Sequence, residues 1–182
     1  MSVLALDIGS SRIKALRAEW DGRLVAARST TTPHQALEPG ERSYPLEPVY
    51  AAIEGLIVEL AASDTAEAID TLVFSCLGTA MAPLDHDGRP LGPALAPADL
   101  RPQRRPWPLE SLDLDVTGLF ERTGSDPSVP SFLLHWLWWR DVHPEVIDKL
   151  HRFRSLRGFA MTELCDADAE DRSWASRTML AA

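Results

Sequence analysis

Residues 4–18 read LALDIGSSRIKALRA. Apolar residues lead into Asp7, Gly9 follows, and two hydroxyls, an arginine and a lysine complete the run before the apolar pattern resumes. Val3–Asp7 has the composition of a buried strand, and Ile13–Trp20 alternates loosely as a second. Asp21-Gly22 is a two-residue hairpin signal, and Leu24–Thr31 returns as a third strand. The chain is therefore expected to open as an antiparallel β-meander whose two tips are GSSR and DG.

The first tip carries more chemistry than a turn requires. Asp7 closes a strand, so its carboxylate can project from the sheet. Gly9 lets a ligand approach the backbone closely. Ser10 and Ser11 add hydroxyls beside exposed N–H groups, and together these can cradle phosphate oxygens. Asp7 can hold Mg²⁺ through a water, since Mg²⁺ prefers one or two carboxylates plus phosphates. Lys14, or Arg12, can neutralise the charge. The same residues also describe a polar hairpin tip with solvated charges. The spacing is neither GxxxxGK[ST] nor GxGxxG.

Beyond the meander, 33–48 reads as a loop. Val49, Ile53, Leu56, Ile57 and Leu60 fall at helical spacing within Pro48–Ala62. Ile69–Ser75 reads as a buried strand, and Asp87-Gly88 marks another hairpin. Three strands, a helix and a strand indicate an α/β layer fold with a mixed sheet. Prolines at 97, 102, 106 and 108 make 96–108 a surface loop. Helices are expected at 115–122, 130–141, 143–150, 157–164 and 171–180. Pro144 is well placed for a first turn. Trp136, Trp138 and Trp139 cover more than one helical face and read as packing residues, whose surface would favour self-association if left uncovered. The acidic run 166–171 reads as a solvated loop.

The 182 residues carry a net charge of −9, which argues against a general nucleic-acid binder, because phosphate contacts need surplus Lys and Arg. No apolar stretch reaches membrane-spanning length, and the start lacks the basic region of a signal peptide. Cys76 and Cys165 lie far apart without a CxxC partner and read as buried reduced thiols, which points to a cytoplasmic location. The five histidines show no zinc spacing, and Ser75 and Ser173 have no evident His–acid partnership.

DIGSSRIK between two strands resembles the phosphate-binding hairpin of the actin/Hsp70/sugar-kinase superfamily. IDTLVFSCLGTAMAPLDHDGRPLGPALAPADLR, 69–101, resembles a segment of the FGGY carbohydrate kinases, the family of xylulokinase, gluconokinase and glycerol kinase. There a strand precedes a D…G.PL.P hairpin and a W-x-D-x-R loop. Asp85, Gly88, Pro90-Leu91, Pro93, Asp99 and Arg101 follow that pattern without a gap. Thr123-Gly124, LHWLWWRDVHPEV (134–146) and DRSWASRTM (171–179) are similar to later family stretches, in the same order.

The resemblance implies an RNase H-like α/β fold over 1–182, the sugar-binding first lobe of a two-lobed kinase. It implies phosphate and Mg²⁺ contacts at Asp7, Gly9, Ser10, Ser11 and Lys14, and acceptor contacts at Thr79, Asp99 and Arg101. ATP and Mg²⁺ would be engaged only with the second lobe, which would carry most of the adenosine site. The family's catalytic Asp falls in a G-x-x-D stretch expected beyond Ala182, so no residue of this chain matches the base, and the chain by itself is expected to be inactive. The sequence departs from the family at Pro97, where a Trp is usual, and at Gly78-Thr79, where Met-His is common. It departs again at His135, where Lys is common. These departures keep a second expectation open, a non-catalytic sugar-binding or interaction module that retains the fold. The basic loop around Arg101, Arg104 and Arg105 inclines the acceptor toward sugar acids.

Overall fold

The structure, a computed structural model, describes residues 1–62, 68–104, 115–124 and 132–170. The meander forms as expected: β1 (Ser2–Ile8), β2 (Arg12–Glu19) and β3 (Leu24–Thr31) are antiparallel neighbours. Gly22 supplies the left-handed conformation (φ 88°) that the DG turn requires. The chain then crosses through α1 (Leu46–Ala61) to β5 (Ile69–Cys76), which pairs parallel with β1. The resulting sheet has the order β3-β2-β1-β5 and is mixed.

Alternation explains the layering. Leu4, Leu6 and Ile8 of β1 and Ile13 and Ala15 of β2 point to one face and are buried. On that face they meet Val49, Ile53, Leu56 and Leu60, the apolar stripe of α1. Each large aliphatic side chain so buried contributes roughly 1.5–3 kcal/mol. The opposite face carries Asp7, Lys14, Leu16 and Val73, all partly or largely exposed. The helix starts two residues before the expected Pro48, because a proline in the first turn removes only an N–H that has no helical partner.

A second four-stranded sheet, β4-β7-β6-β8, abuts the first. Its strands are short: β4 (Ser43–Tyr44), β6 (Met81–Leu84), β7 (Ala94–Leu95) and β8 (Arg152–Ser155). The Asp87-Gly88 hairpin lies in it, with the Asp85 N–H bonded to the Arg89 carbonyl and a bridge between Leu84 and Pro90. Two parts of this sheet differ from the sequence expectation. Residues 33–48 contain β4, and β8 lies where no element was expected. Strands of two to four residues carry too little periodicity to be read before their partners are known.

The helices α2 (Val116–Thr123), α3 (Phe132–Val142), α4 (Pro144–Ile147) and α5 (Leu156–Cys165) lie close to their expected positions. The expected helix at 171–180, its family-like DRSWASRTM stretch, and 105–108 of the Pro-rich loop lie outside the described residues. Trp138 and Trp139 pack with Leu95 and Val146, so they are core and not an association surface.

One further expectation is corrected. Cys165 is exposed rather than buried. Cys76 is partly covered, and burial pushes its thiol pKa up to about 12. The acidic run is an exposed loop, as expected, and three arginines face it from β8 and α5. Asp168 pairs with Arg152 (2.7 Å) and with Arg154, and hydrogen bonds from both hold its carboxyl down at about 2. Glu170 accepts from the Ser155 N–H and hydroxyl (3.0 Å each) and lies 3.6 Å from Arg157.

Candidate functional site

The tip of the first hairpin is tight because Gly9 has no side chain. Its N–H donates to the Arg12 carbonyl (3.1 Å), and a Cβ there would sit 2.8 Å from that same oxygen. Asp7 and Lys14 are register partners across β1 and β2, and their charged ends lie 3.4 Å apart while both remain substantially exposed. Ser10 and Ser11 are exposed at the turn. The hairpin is fastened below, where the Thr32 hydroxyl donates to the Gly9 carbonyl (2.7 Å) and the Thr32 N–H to the Ser11 carbonyl (3.1 Å). Of the five hairpin residues singled out in the sequence, Asp7 and Lys14 meet across the strands, and Gly9 closes the turn that exposes Ser10 and Ser11.

Two cavities flank this tip. A broad one of about 750 Å³ lies on the open face of the first sheet, with Asp7, Lys14, Arg28, Ser29 and Ser75 as its polar members. A smaller one of about 210 Å³ lies on the other side, lined by Ser10, Arg42, Tyr44, Leu77, Pro97 and Ala98. The hairpin therefore presents its carboxylate to one hollow and its serine backbone to the next.

Arg42 is the residue that sequence reading passed over. Its Nη2 donates to the Ser10 carbonyl (2.6 Å) and its Nε to the Tyr44 hydroxyl (3.2 Å), while its backbone N–H donates to Asp99 (3.0 Å). The Tyr44 hydroxyl also donates to the Ser10 carbonyl (3.3 Å). One residue thus ties the hairpin of the first sheet, through its side chain, to the Pro-rich loop, through its backbone N–H. Nothing in the local pattern GERSY marks Arg42, because its partners lie 32 and 57 residues away.

Asp99 and Arg101 are brought together, but mainly with each other. Asp99 is fully buried and accepts from the Arg101 N–H, Nε (3.0 Å) and Nη2 (2.6 Å) in addition to Arg42. Burial alone would raise its pKa. The hydrogen bonds from the Arg101 side chain and the two backbone N–H groups outweigh that and leave it below the ordinary carboxylate value. Arg101 also approaches Glu41 (3.9 Å) and lies over the Trp138 ring (5.0 Å). The Asp99 carboxylate therefore anchors the loop whose neighbour, Pro97, lines the smaller cavity. Arg104 reaches the Pro39 carbonyl, and Arg105 lies outside the described residues.

Thr79 sits in the turn between β5 and β6 with φ 57°, a left-handed conformation that a β-branched residue rarely adopts. Nearby chemistry is sparse. Among the described residues no group of three or more His, Cys, Asp or Glu side chains could hold a metal ion. Asp7 alone fits a water-bridged Mg²⁺ that has phosphate oxygens as its other ligands. His135 is fully buried, with neither ring nitrogen hydrogen-bonded, and burial pushes its pKa down to about 4. Among the described residues no helix is long and apolar enough to cross a membrane.

The arrangement is similar to that of several solved kinases. The gluconate kinase of Lactobacillus acidophilus superposes with a TM-score of 0.85 at 17% identity, covering 98% of this chain and 36% of that one. The xylulose kinase of Rhodospirillum rubrum gives 0.88 at 18% identity, over 98% of this chain and 37% of that one. The Plasmodium falciparum glycerol kinase with ADP gives 0.83 at 19% identity, over 98% and 37% respectively. The chain thus spans little more than a third of their length. These likenesses establish the fold, the mixed α/β architecture of the actin/Hsp70-like sugar kinases. No curated protein matches the chain by sequence. The model of the FGGY family of carbohydrate kinases, N-terminal domain, matches residues 2–182, and the chain belongs to that family.

Proposed function

We propose that this chain is the acceptor-binding lobe of an ATP-dependent kinase that phosphorylates a hydroxyl of a sugar, sugar acid or polyol. The observation that carries the reading is the pair of hollows on either side of the Asp7–Lys14 hairpin. On the Asp7 side, the carboxylate would hold Mg²⁺ through water while Lys14 meets phosphate oxygens, with the Ser10–Ser11 turn at the ridge between the two hollows. On the Ser10 side, the smaller hollow would take the acceptor, with Asp99 and Arg101 holding its loop wall and Thr79 nearby in sequence to Leu77, one of its lining residues. The left-handed Thr79 supports a role there, because backbone strain tends to persist where function requires a fixed geometry.

Transfer needs a base for the acceptor hydroxyl and groups that stabilise charge on the moving phosphoryl. We assign the base and most of the ATP site to a second lobe or partner chain, and the protein to the cytoplasm. The test is reconstitution. The chain is mixed with a separately expressed second lobe carrying the family's aspartate, and sugar-dependent ATP turnover is followed over a panel of pentuloses, hexonates and polyols. Turnover with one class supports the reading; none on the whole panel counts against it. Pro97, on the cavity wall where the family has a tryptophan, favours a second reading, a non-catalytic module that keeps the fold. Under that reading Asp7→Ala leaves sugar binding unchanged and no pairing restores turnover.

A further inference from the structure

We infer that Arg42 is a specificity residue that recognises a carboxylate on the acceptor, so that the substrate class is the sugar acids. This rests on the kinase reading and narrows it. Arg42 is half-buried in the wall of the 210 Å³ cavity. Its guanidinium is held in place on one side only, by the Ser10 carbonyl, the Tyr44 hydroxyl and the Tyr44 ring 6.0 Å away. Both oxygen partners are uncharged. The neighbouring carboxylates are committed elsewhere: Asp99 takes the backbone N–H of Arg42 and the fork of Arg101, and Glu41 approaches Arg101. Among the described residues Nη1 has no hydrogen-bond partner, and no carboxylate pairs with this guanidinium.

A cation left without a counter-charge in a hollow, in a chain of net charge −9, calls for an anionic ligand. The guanidinium fork matches planar oxyanions in two-point fashion. The hollow is smaller than the usual drug-sized pocket, which suits a small hydroxy acid. Apart from Ser10 and Tyr44, the rest of its wall, Leu77, Ala96, Pro97 and Ala98, is apolar, so Arg42 is its charged member. Polyol hydroxyls can also bond a guanidinium, but they leave its charge unmatched.

The experiment is calorimetric titration of the full chain with sodium gluconate, with glucitol as the uncharged analogue of the same carbon skeleton, with xylulose, and with inorganic phosphate. Each is repeated on Arg42→Gln and on Arg42→Lys, after circular dichroism has confirmed their folding. Gluconate is expected to bind at least tenfold tighter than glucitol. Arg42→Gln should abolish that preference and Arg42→Lys keep part of it, since a charge-assisted hydrogen bond is worth about ten- to a hundredfold. The lysine variant keeps the test decisive if the glutamine variant fails to fold. The inference is overturned if the native chain binds gluconate no better than glucitol, including the case where it binds neither. It is equally overturned if the preference survives both substitutions. Phosphate that displaces gluconate and binds more tightly, with the same dependence on Arg42, would reassign the cation to a phosphoryl group. Glucitol or xylulose binding that ignores Arg42 removes the carboxylate and leaves the kinase reading standing; that reading falls separately, by failure of the reconstitution.

Discussion

At the scale of single residues, two buried polar side chains near the cavity behave in opposite ways. Asp99 is saturated with donors, and its partners would be stranded by its loss. Asp99→Asn is expected to cost about 2–4 kcal/mol, read as a lowered urea midpoint, because it breaks a buried ion pair from one side. Because its folded pKa is lowered, the stability it contributes is complete above the unfolded carboxylate value of about 3.9 and is lost as pH falls through the folded value. Among the described residues His135 has no hydrogen-bond partner to lose. Its pKa is pushed down to about 4 by burial, so between about pH 6.5 and 4 the unfolded chain binds the extra proton and stability falls as pH drops. His135→Phe should leave the melting temperature at pH 7 unchanged or raised, and flatten its decline toward pH 4. A decline just as steep in the variant would show that the histidine is not its source.

At the scale of elements, α1 depends on a residue that is not its own. Its last turn contains no basic side chain, so no cation of its own offsets the negative end of the helix. Arg17 of β2 lies beneath it, fully buried, with Nη1 donating to the Leu60 carbonyl (3.2 Å) and Nε to the Ser2 hydroxyl (3.1 Å). Arg17→Met preserves much of the packing and removes these bonds. We expect a loss of about 2–3 kcal/mol in chemical denaturation, with faster hydrogen exchange at the end of α1 than at its start. Uniform exchange along the helix would contradict the assignment. The start of α5 is secured by its own sequence, since Ser155 accepts from the Gly158 N–H (2.8 Å) in an ordinary N-cap.

At the scale of the whole molecule, the two sheets share one core. Leu4, Leu6 and Ile8 of the first sheet belong to the same buried cluster as Tyr44, Ala82 and Ala94 of the second and Phe159 of α5. A core continuous across both sheets should melt as a unit. Far-ultraviolet circular dichroism, which follows the helices and sheets, and tryptophan fluorescence, which reports all six tryptophans including the buried Trp138 and Trp139, are expected to give coincident urea transitions. Separated midpoints would mean that the core does not open as a unit.

The sequence by itself determined the elements whose signals are local. The meander is written in alternation and in a DG turn, and α1 in a stripe of apolar residues at helical spacing. The hairpin chemistry of Asp7, Gly9, Ser10, Ser11 and Lys14 lies within eight consecutive positions, so its convergence needed no tertiary knowledge. Of the second sheet only the Asp87-Gly88 hairpin was legible in the sequence, because β4 and β7 are two residues each, and such strands exist only through pairing with distant partners. Tertiary structure alone decided that the acids after α5 are matched by Arg152, Arg154 and Arg157. It alone decided that Asp99 holds its own loop, and that Arg42 stands between the hairpin and that loop with part of its guanidinium unmatched. Charge pairing and burial depend on which side chains meet across tens of residues, and no local pattern encodes that.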